Sequence, residues 1–136
     1  MSAKLSEEAF FQEKIDSMIG KIKKKPLFDE TCIFSLGARL LGDKWTIIIL
    51  VVLMEGKKRY SELQKQVPTI SPKMLAQTLK KLEELDLVKR EVFPEIPPRV
   101  EYELTTFGKS VRPAITVLCE WSVGHESKIR KMAKNI

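Results

Sequence analysis

Apolar residues recur with helical spacing along most of the chain, and one central stretch changes to the pattern typical of strands. Between Arg59 and Thr105, a short helical pattern, a turn, a longer helical pattern and two strand-like runs follow one another. The periodicity therefore predicts a mainly α-helical chain with a small β-hairpin, which is an α+β fold class.

The longer helical pattern of this stretch begins at Ser71. A serine hydroxyl accepts a hydrogen bond from the first turn of a helix, and Pro72 loses nothing there by lacking an N–H group. Leu75, Leu79 and Leu82 then recur on one face, which should be buried. The opposite face is polar, a pattern that in an isolated helix usually marks nothing more than solvation. Its residues are Lys73, Gln77, Lys80 and Glu84, with Lys81 beside them.

The neighbouring elements give this helix a context. Residues 60–67 form a short amphipathic pattern that Pro68 ends, so a tight turn connects two helices. Downstream, residues 87–93 and 100–104 are rich in β-branched and aromatic side chains, and a proline-rich break separates them. Two helices followed by a hairpin predict a winged helix-turn-helix, in which Arg99 at the wing tip would reach a minor groove or a phosphate.

Six blocks of sequence carry a closer resemblance. They are Leu-Gly-Asp-Lys-Trp-Thr at 41–46, Arg-Tyr-Ser-Glu-Leu at 59–63, Ile-Ser-Pro-Lys-Met-Leu at 70–75, Leu-Glu at 82–83, Leu-Val at 87–88, and Pro-Pro-Arg-Val-Glu-Tyr-Glu-Leu-Thr at 97–105. In order and spacing they resemble the HxlR-type helix-turn-helix transcription regulators, from Cys32 to about Trp121. The resemblance implies a small bacterial homodimeric winged-helix regulator, and we expect a repressor that binds a roughly palindromic operator in double-stranded DNA.

We assign DNA-contacting roles on this basis. The helix from Ser71 to Leu85 is expected in the major groove, where the first residues of a recognition helix reach base edges. The predicted base contacts are Lys73 and Gln77, the predicted phosphate contacts are Ser71, Lys80, Lys81 and Arg59, and the predicted wing contact is Arg99.

The distribution of charge agrees with this assignment. The 136 residues carry a net charge of +6, of which residues 56–99 contribute +4 through ten basic and six acidic residues. A two-fold dimer would double this charge and attract DNA. The alternative is a winged-helix module that binds an acidic protein partner through the same face, since fold alone does not settle function.

Residues 1–31 are expected to form an N-terminal extension that precedes a winged helix-turn-helix domain over residues 32–136. The extension has an apolar helical stripe that includes Phe11, Ile15 and Met18, and Ser6 is its predicted N-cap. Lysines 23–25 and Pro26 would end this helix. We expect it to pack on the partner subunit or on the apolar helix over residues 47–54, which should start near Asp43 and end at Gly56.

The C-terminal region predicts one long helix with Thr105 as its N-cap and a kink at Pro113. By resemblance this helix forms much of a dimer interface, whereas the alternative is that its stripe only closes the core of the monomer. The stripe consists of Phe107, Val111, Ala114, Leu118 and Trp121. A ligand-responsive regulator is a further possibility, with Trp45, Met54 and Trp121 around an apolar cavity.

The chain has two cysteines, Cys32 and Cys119, and each is first expected to be a small buried side chain. The position of Cys32 also resembles that of the N-terminal cysteine with which several family members sense oxidants or electrophiles. A helix N-terminus nearby would lower the pKa of this thiol, whereas burial indicated by Ile33 and Phe34 would raise it. Oxidant sensing at Cys32 and a structural role therefore both stay open.

The residue types give little support for catalysis or metal binding. One histidine, His125, forms no recognisable dyad with a cysteine, and two cysteines with one histidine do not make a spaced zinc site. We therefore expect no enzyme, no metal and no cofactor. The N-terminus lacks a signal-peptide pattern, and the longest apolar run has eight residues, whereas a membrane span needs roughly 20. A cytoplasmic location without membrane contact is expected.

Overall fold

A computed structural model describes the backbone of residues 2–22 and 33–136, with side chains for residues 7–21 and 33–136. The predictions for Cys32, for lysines 23–25 and for Pro26 lie outside the described residues. The chain divides into two compact units, Met1–Asp43 and Lys44–Ile136. None of the described helices is long and apolar enough to cross a membrane.

The first unit contains helices α1 (Ser2–Ile22) and α2 (Ile33–Leu41). The predicted N-cap at Ser6 is wrong, because α1 begins four residues earlier. Residues 3–5 are Ala, Lys and Leu, which are strong helix formers, so the helix extends through them. The side chains of Ile33 and Phe34 are exposed, which removes the sequence argument for burial beside Cys32.

The second unit begins with α3 (Lys44–Leu53), whose Ile49, Leu50 and Leu53 form part of the core. A turn follows and reaches Gly56, which has φ +138°, a conformation that glycine adopts without strain. The predicted helix over residues 47–54, with its end near Gly56, is confirmed.

The helix pair consists of α4 (Tyr60–Gln66) and α5 (Pro72–Glu84). The N-cap prediction for Ser71 is confirmed, because its Oγ accepts a hydrogen bond from the Met74 backbone N–H at 3.1 Å. The predicted apolar face is confirmed as well, and the turn between the helices is anchored inward. The buried residues of this pair and its turn are Leu63, Val67, Ile70, Leu75, Thr78, Leu79 and Leu82.

The wing is an antiparallel hairpin of β2 (Val88–Phe93) and β3 (Arg99–Leu104), which confirms the two predicted strands. A third strand, β1 (Lys58–Arg59), pairs with β3 on its other side and gives the order β1-β3-β2. The sequence analysis missed β1, because two residues are too few to show an alternating pattern.

The C-terminal region is divided into α6 (Thr106–Lys109), α7 (Arg112–Gly124) and α8 (Glu126–Ala133). Thr105 is the N-cap as predicted, and its Oγ1 accepts from the Gly108 backbone N–H at 3.0 Å. The prediction of one kinked helix is wrong. Pro113 lies in the first turn of α7, where a missing N–H is tolerated, so the proline starts a helix instead of bending one.

Candidate nucleic-acid interface

The exposed face of α5 brings together three of the predicted DNA contacts. Lys73, Gln77 and Lys80 are all exposed, on the side of the helix opposite the buried leucines. None of their side chains forms a hydrogen bond or ion pair with the part of the chain that the structure describes. Two ammonium groups and one amide are therefore available on successive turns.

Lys81 lies in a different environment from this face. Its side chain is half-buried, and its Nζ donates a hydrogen bond to Thr46 Oγ1 of α3 at 3.3 Å. Thr46 is fully buried. Lys81 follows the buried Thr78 by three residues, and that spacing places both on one side of the helix. The structure thus turns the Lys81 ammonium toward the core, whereas the sequence analysis placed it beside the exposed face.

Ser71 and Arg59 lie at the starts of the two helices. Ser71 is exposed, and its hydroxyl, which accepts from Met74, still has a proton to donate. Arg59 is exposed as well, and its backbone N–H donates to Glu62 Oε1 at 3.0 Å, which fixes the start of α4. The Tyr60 hydroxyl donates to the Pro72 carbonyl at 3.3 Å, so the starts of α4 and α5 are tied together.

The placement of Arg99 at the wing tip is wrong. Arg99 begins β3, and its guanidinium lies 3.0 Å from Glu95 Oε1 and 3.1 Å from Glu101 Oε1. The second contact is electrostatic only, because Nε is not aligned for a hydrogen bond. The guanidinium also lies over the Phe93 ring, 4.2 Å from its centre. Residues i and i+2 share a face of a strand, so the spacing of Arg99 and Glu101 was a readable signal.

The sequence analysis also missed a groove beside the wing. An open cavity of about 500 Å³ lies between the start of α4, at Arg59, Tyr60 and Ser61, and the wing segment of residues 95–100. The outermost apolar residue of that segment, Ile96, is fully exposed. The groove is therefore bordered by a cation on one side and by an apolar loop on the other.

A second polar cluster joins the end of α4 to the turn that follows α3. Glu55, in the turn after α3, accepts hydrogen bonds from Gln66 Nε2 at 3.2 Å and from Lys58 Nζ at 3.1 Å. These two bonds, together with the charge of Lys58, lower the pKa of Glu55. Because Gln66 ends α4, the cluster fixes the end of that helix to the turn.

The C-terminal helices leave most of their apolar side chains in solvent. Ile115 is the buried residue of α7, whereas Trp121 is 55% exposed and Leu118 is 41% exposed. These exposures contradict the alternative that the stripe only closes the monomer core, and an exposed Trp121 does not close a cavity either. Cys119 is exposed, which corrects its predicted burial.

Comparison with known proteins gives concordant matches. The model of the HxlR-like helix-turn-helix family matches residues 40–130. An HTH-type transcriptional regulator of Methanothermobacter thermautotrophicus is 47% identical over 90 residues, which are 66% of this chain and 69% of the relative.

Solved structures match over a similar length. The redox regulator HypR in its oxidized form is 35% identical with a TM-score of 0.65, over 68% of this chain and 96% of that one. The reduced form of the transcriptional regulator YodB from Bacillus subtilis is 40% identical with a TM-score of 0.60, over 68% of this chain and 91% of that one. These neighbours share the mainly helical winged fold.

Proposed function

This chain belongs to the HxlR-like helix-turn-helix family and is a transcriptional regulator of the helix-turn-helix type, and we propose that it acts as a homodimeric repressor on a roughly palindromic operator. The observation that carries the proposal is the exposed polar face of α5, opposite a face that is fully buried. A helix held in this way presents fixed donors to a groove of DNA.

In the proposed complex the first half of α5 enters the major groove. Lys73 donates to a guanine edge, and Gln77 forms a paired hydrogen bond with an adenine edge, as the geometry of these side chains favours. Ser71, Lys80 and Arg59 contact phosphates, which fix the register without reading sequence. Lys81, whose ammonium is held by Thr46, supports the orientation of α5 on the core.

Exposed apolar side chains support the proposed homodimer. After Ile115, the described chain as far as residue 136 has no buried residue, although α7 and α8 together carry large apolar side chains. Leu118 and Trp121, which share one face of α7, are among those that remain exposed. Large apolar side chains exposed on one helix face are typical of an interaction site, and a second copy of the chain would cover them in a two-fold manner.

A dimer of this kind would repress by occupying DNA. Two recognition helices related by a two-fold axis bind half-sites about one helical turn apart. When such an operator lies within a promoter, the bound dimer covers part of that promoter. Bound protein then excludes RNA polymerase by its bulk.

The binding test uses the duplex DNA directly upstream of the gene and a shuffled duplex of equal length. We expect binding of the upstream fragment to be at least ~10³-fold tighter than binding of the shuffled one. The logarithm of the affinity should fall linearly with the logarithm of salt concentration. Equal affinity for both duplexes would refute sequence-specific regulation, and tight binding of an acidic protein with no DNA binding would favour the alternative partner.

We further propose that an oxidant is the effector and that Cys32 is its sensor. Two structural neighbours support this, since HypR is a redox regulator and YodB has also been solved after diamide treatment. Diamide should change operator affinity at least tenfold in the wild type. Cys32→Ser should abolish that change, whereas Cys119→Ser, which alters an exposed cysteine, should keep it. A full response in Cys32→Ser would exclude Cys32 as the sensor.

A further inference from the structure

The tip of the wing is apolar and stiff. Ile96 lies in the loop between β2 and β3, and its side chain is fully exposed. Pro94, Pro97 and Pro98 flank it, and each proline fixes its own φ angle. A large aliphatic side chain held out in water by three prolines loses little conformational freedom when it is buried by a partner.

The charged groups of the wing loop are engaged within the loop itself. Arg99 lies between Glu95 and Glu101 and over the ring of Phe93, with 25% of its side chain exposed. The Glu95 carboxylate is paired by the same guanidinium. The loop therefore offers a partner an aliphatic tip, and its cation and anion serve to hold the loop in place.

The groove lies between this loop and the start of α4, which is joined to the proposed recognition helix. Its far wall is the start of α4, where the exposed Arg59 carries a guanidinium that forms no ion pair among the described residues. The Tyr60 hydroxyl joins that wall to Pro72, the first residue of α5. A DNA strand that leaves α5 would therefore cross Arg59 before it reaches Ile96.

We propose that Ile96 is an apolar wedge that enters the minor groove of the operator beside each half-site, while Arg59 binds the phosphate between the two grooves. The inference rests on the proposed function. Aliphatic side chains are used in this way to open a base step from the minor groove, and pyrimidine–purine steps yield most easily. Arg99 is then a positioning residue that orders the loop and does not contact DNA.

The first test measures affinity for the upstream duplex that the wild type binds. Ile96→Ala should weaken binding roughly tenfold, because several buried methyl and methylene groups are lost, and Ile96→Leu should restore most of it. The slope of affinity against salt should not change in either variant, whereas Arg59→Ala should reduce it. Val92→Ala, an apolar truncation at an exposed position of β2 that does not line the groove, is the control and should bind like the wild type.

The second test places 2-aminopurine at single steps on both sides of each half-site of that duplex. Wild-type binding should raise the fluorescence at one step per half-site, and Ile96→Ala should remove that rise. Wild-type affinity in Ile96→Ala, or no fluorescence rise at any step, would overturn the wedge while leaving the regulator intact. If the wild type binds no upstream duplex at all, the proposed function fails and the wedge fails with it.

Discussion

At the residue scale, the basic side chains around the candidate interface differ in what their charged groups contact. Lys80 is exposed and unpaired among the described residues, whereas one position further Lys81 donates to Thr46. Arg59 and Arg99 differ in the same way, since Arg99 is held by two carboxylates. A DNA phosphate can bind a solvated cation with little loss of other interactions. At Lys81 and Arg99 it would have to replace protein partners that the cation already contacts.

We predict that Lys80→Ala impairs DNA binding, whereas Lys81→Ala impairs the stability of the fold. Lys80→Ala should weaken binding to all sequences and reduce the salt slope by about 1, with an unchanged melting temperature. Lys81→Ala should leave the salt slope unchanged and lower the free energy of unfolding by about 1 kcal/mol, because Thr46 loses its hydrogen-bond donor. Salt titrations and thermal melts of the two variants measure both effects, and equal salt slopes for the two would contradict this division.

The sequence predicted the exposed residues of α5 better than the engaged ones. Lys73, Gln77 and Lys80 follow from helical period alone, because solvent is the default surrounding of a polar face. The partner of Lys81 lies 35 residues away in α3, and no local pattern contains it. The tip position of Ile96 depends on the register Phe93↔Arg99, which the proline-rich break does not reveal.

At the element scale, the junction between the wing and α6 depends on a close approach of two backbones. A Cβ atom at Gly108 would collide with the carbonyl of Leu87, just before β2. The same segment is joined by a hydrogen bond from the Thr105 N–H to the Leu87 carbonyl at 3.1 Å. Gly108 therefore lets α6 pack against the base of the wing.

We predict that Gly108→Ala lowers the free energy of unfolding by about 2–4 kcal/mol, because backbone atoms on both sides must move. Gly124→Ala is the matched control, since a Cβ there meets nothing within 4 Å and alanine favours the helix. Urea unfolding of both variants measures the difference. A wild-type midpoint for Gly108→Ala would show that the junction yields without strain.

Element boundaries were predictable where capping chemistry marks them. Ser71 and Thr105 begin helices in the structure because each side chain accepts a first-turn N–H group. Ser6 is a residue of the same type but lies inside α1, which begins at Ser2, and the division of the C-terminal region into three helices depends on where Pro113 falls within a turn. Both boundaries depend on local helix propensity and on the position of a proline within a turn, which the spacing of apolar residues does not report.

At the scale of the whole molecule, the exposed stripe on α7 gives the sharpest prediction about assembly. Leu118→Lys should shift a dimer toward monomer by about 2–3 kcal/mol, because it places a charge on the proposed apolar interface. Thr116→Lys adds the same charge on a different side of α7, where the residue is exposed, and should leave the dimer intact. Sedimentation equilibrium over a range of concentrations measures both. Monomeric wild-type protein would contradict the homodimer.

The overall fold class could be predicted from the sequence because apolar residues recur with a different spacing in helices and in strands. Leucines at helical spacing and β-branched residues on both sides of a proline-rich break gave the order of helices and hairpin, and the structure confirms it. The DNA-contacting roles remain predictions, since they depend on a partner molecule. Exposure and charge indicate which side chains are available, and the DNA decides which are used.

The central claim is that Gln77 on α5 reads a base in the major groove, and the most direct measurement is a single-base-pair scan. Wild type and Gln77→Ala are titrated with every single substitution in the bound upstream duplex. The account predicts that Gln77→Ala loses about 1–3 kcal/mol of discrimination at one position in each half-site and retains it elsewhere. An unchanged pattern of discrimination, or uniform weakening at all positions, would contradict it.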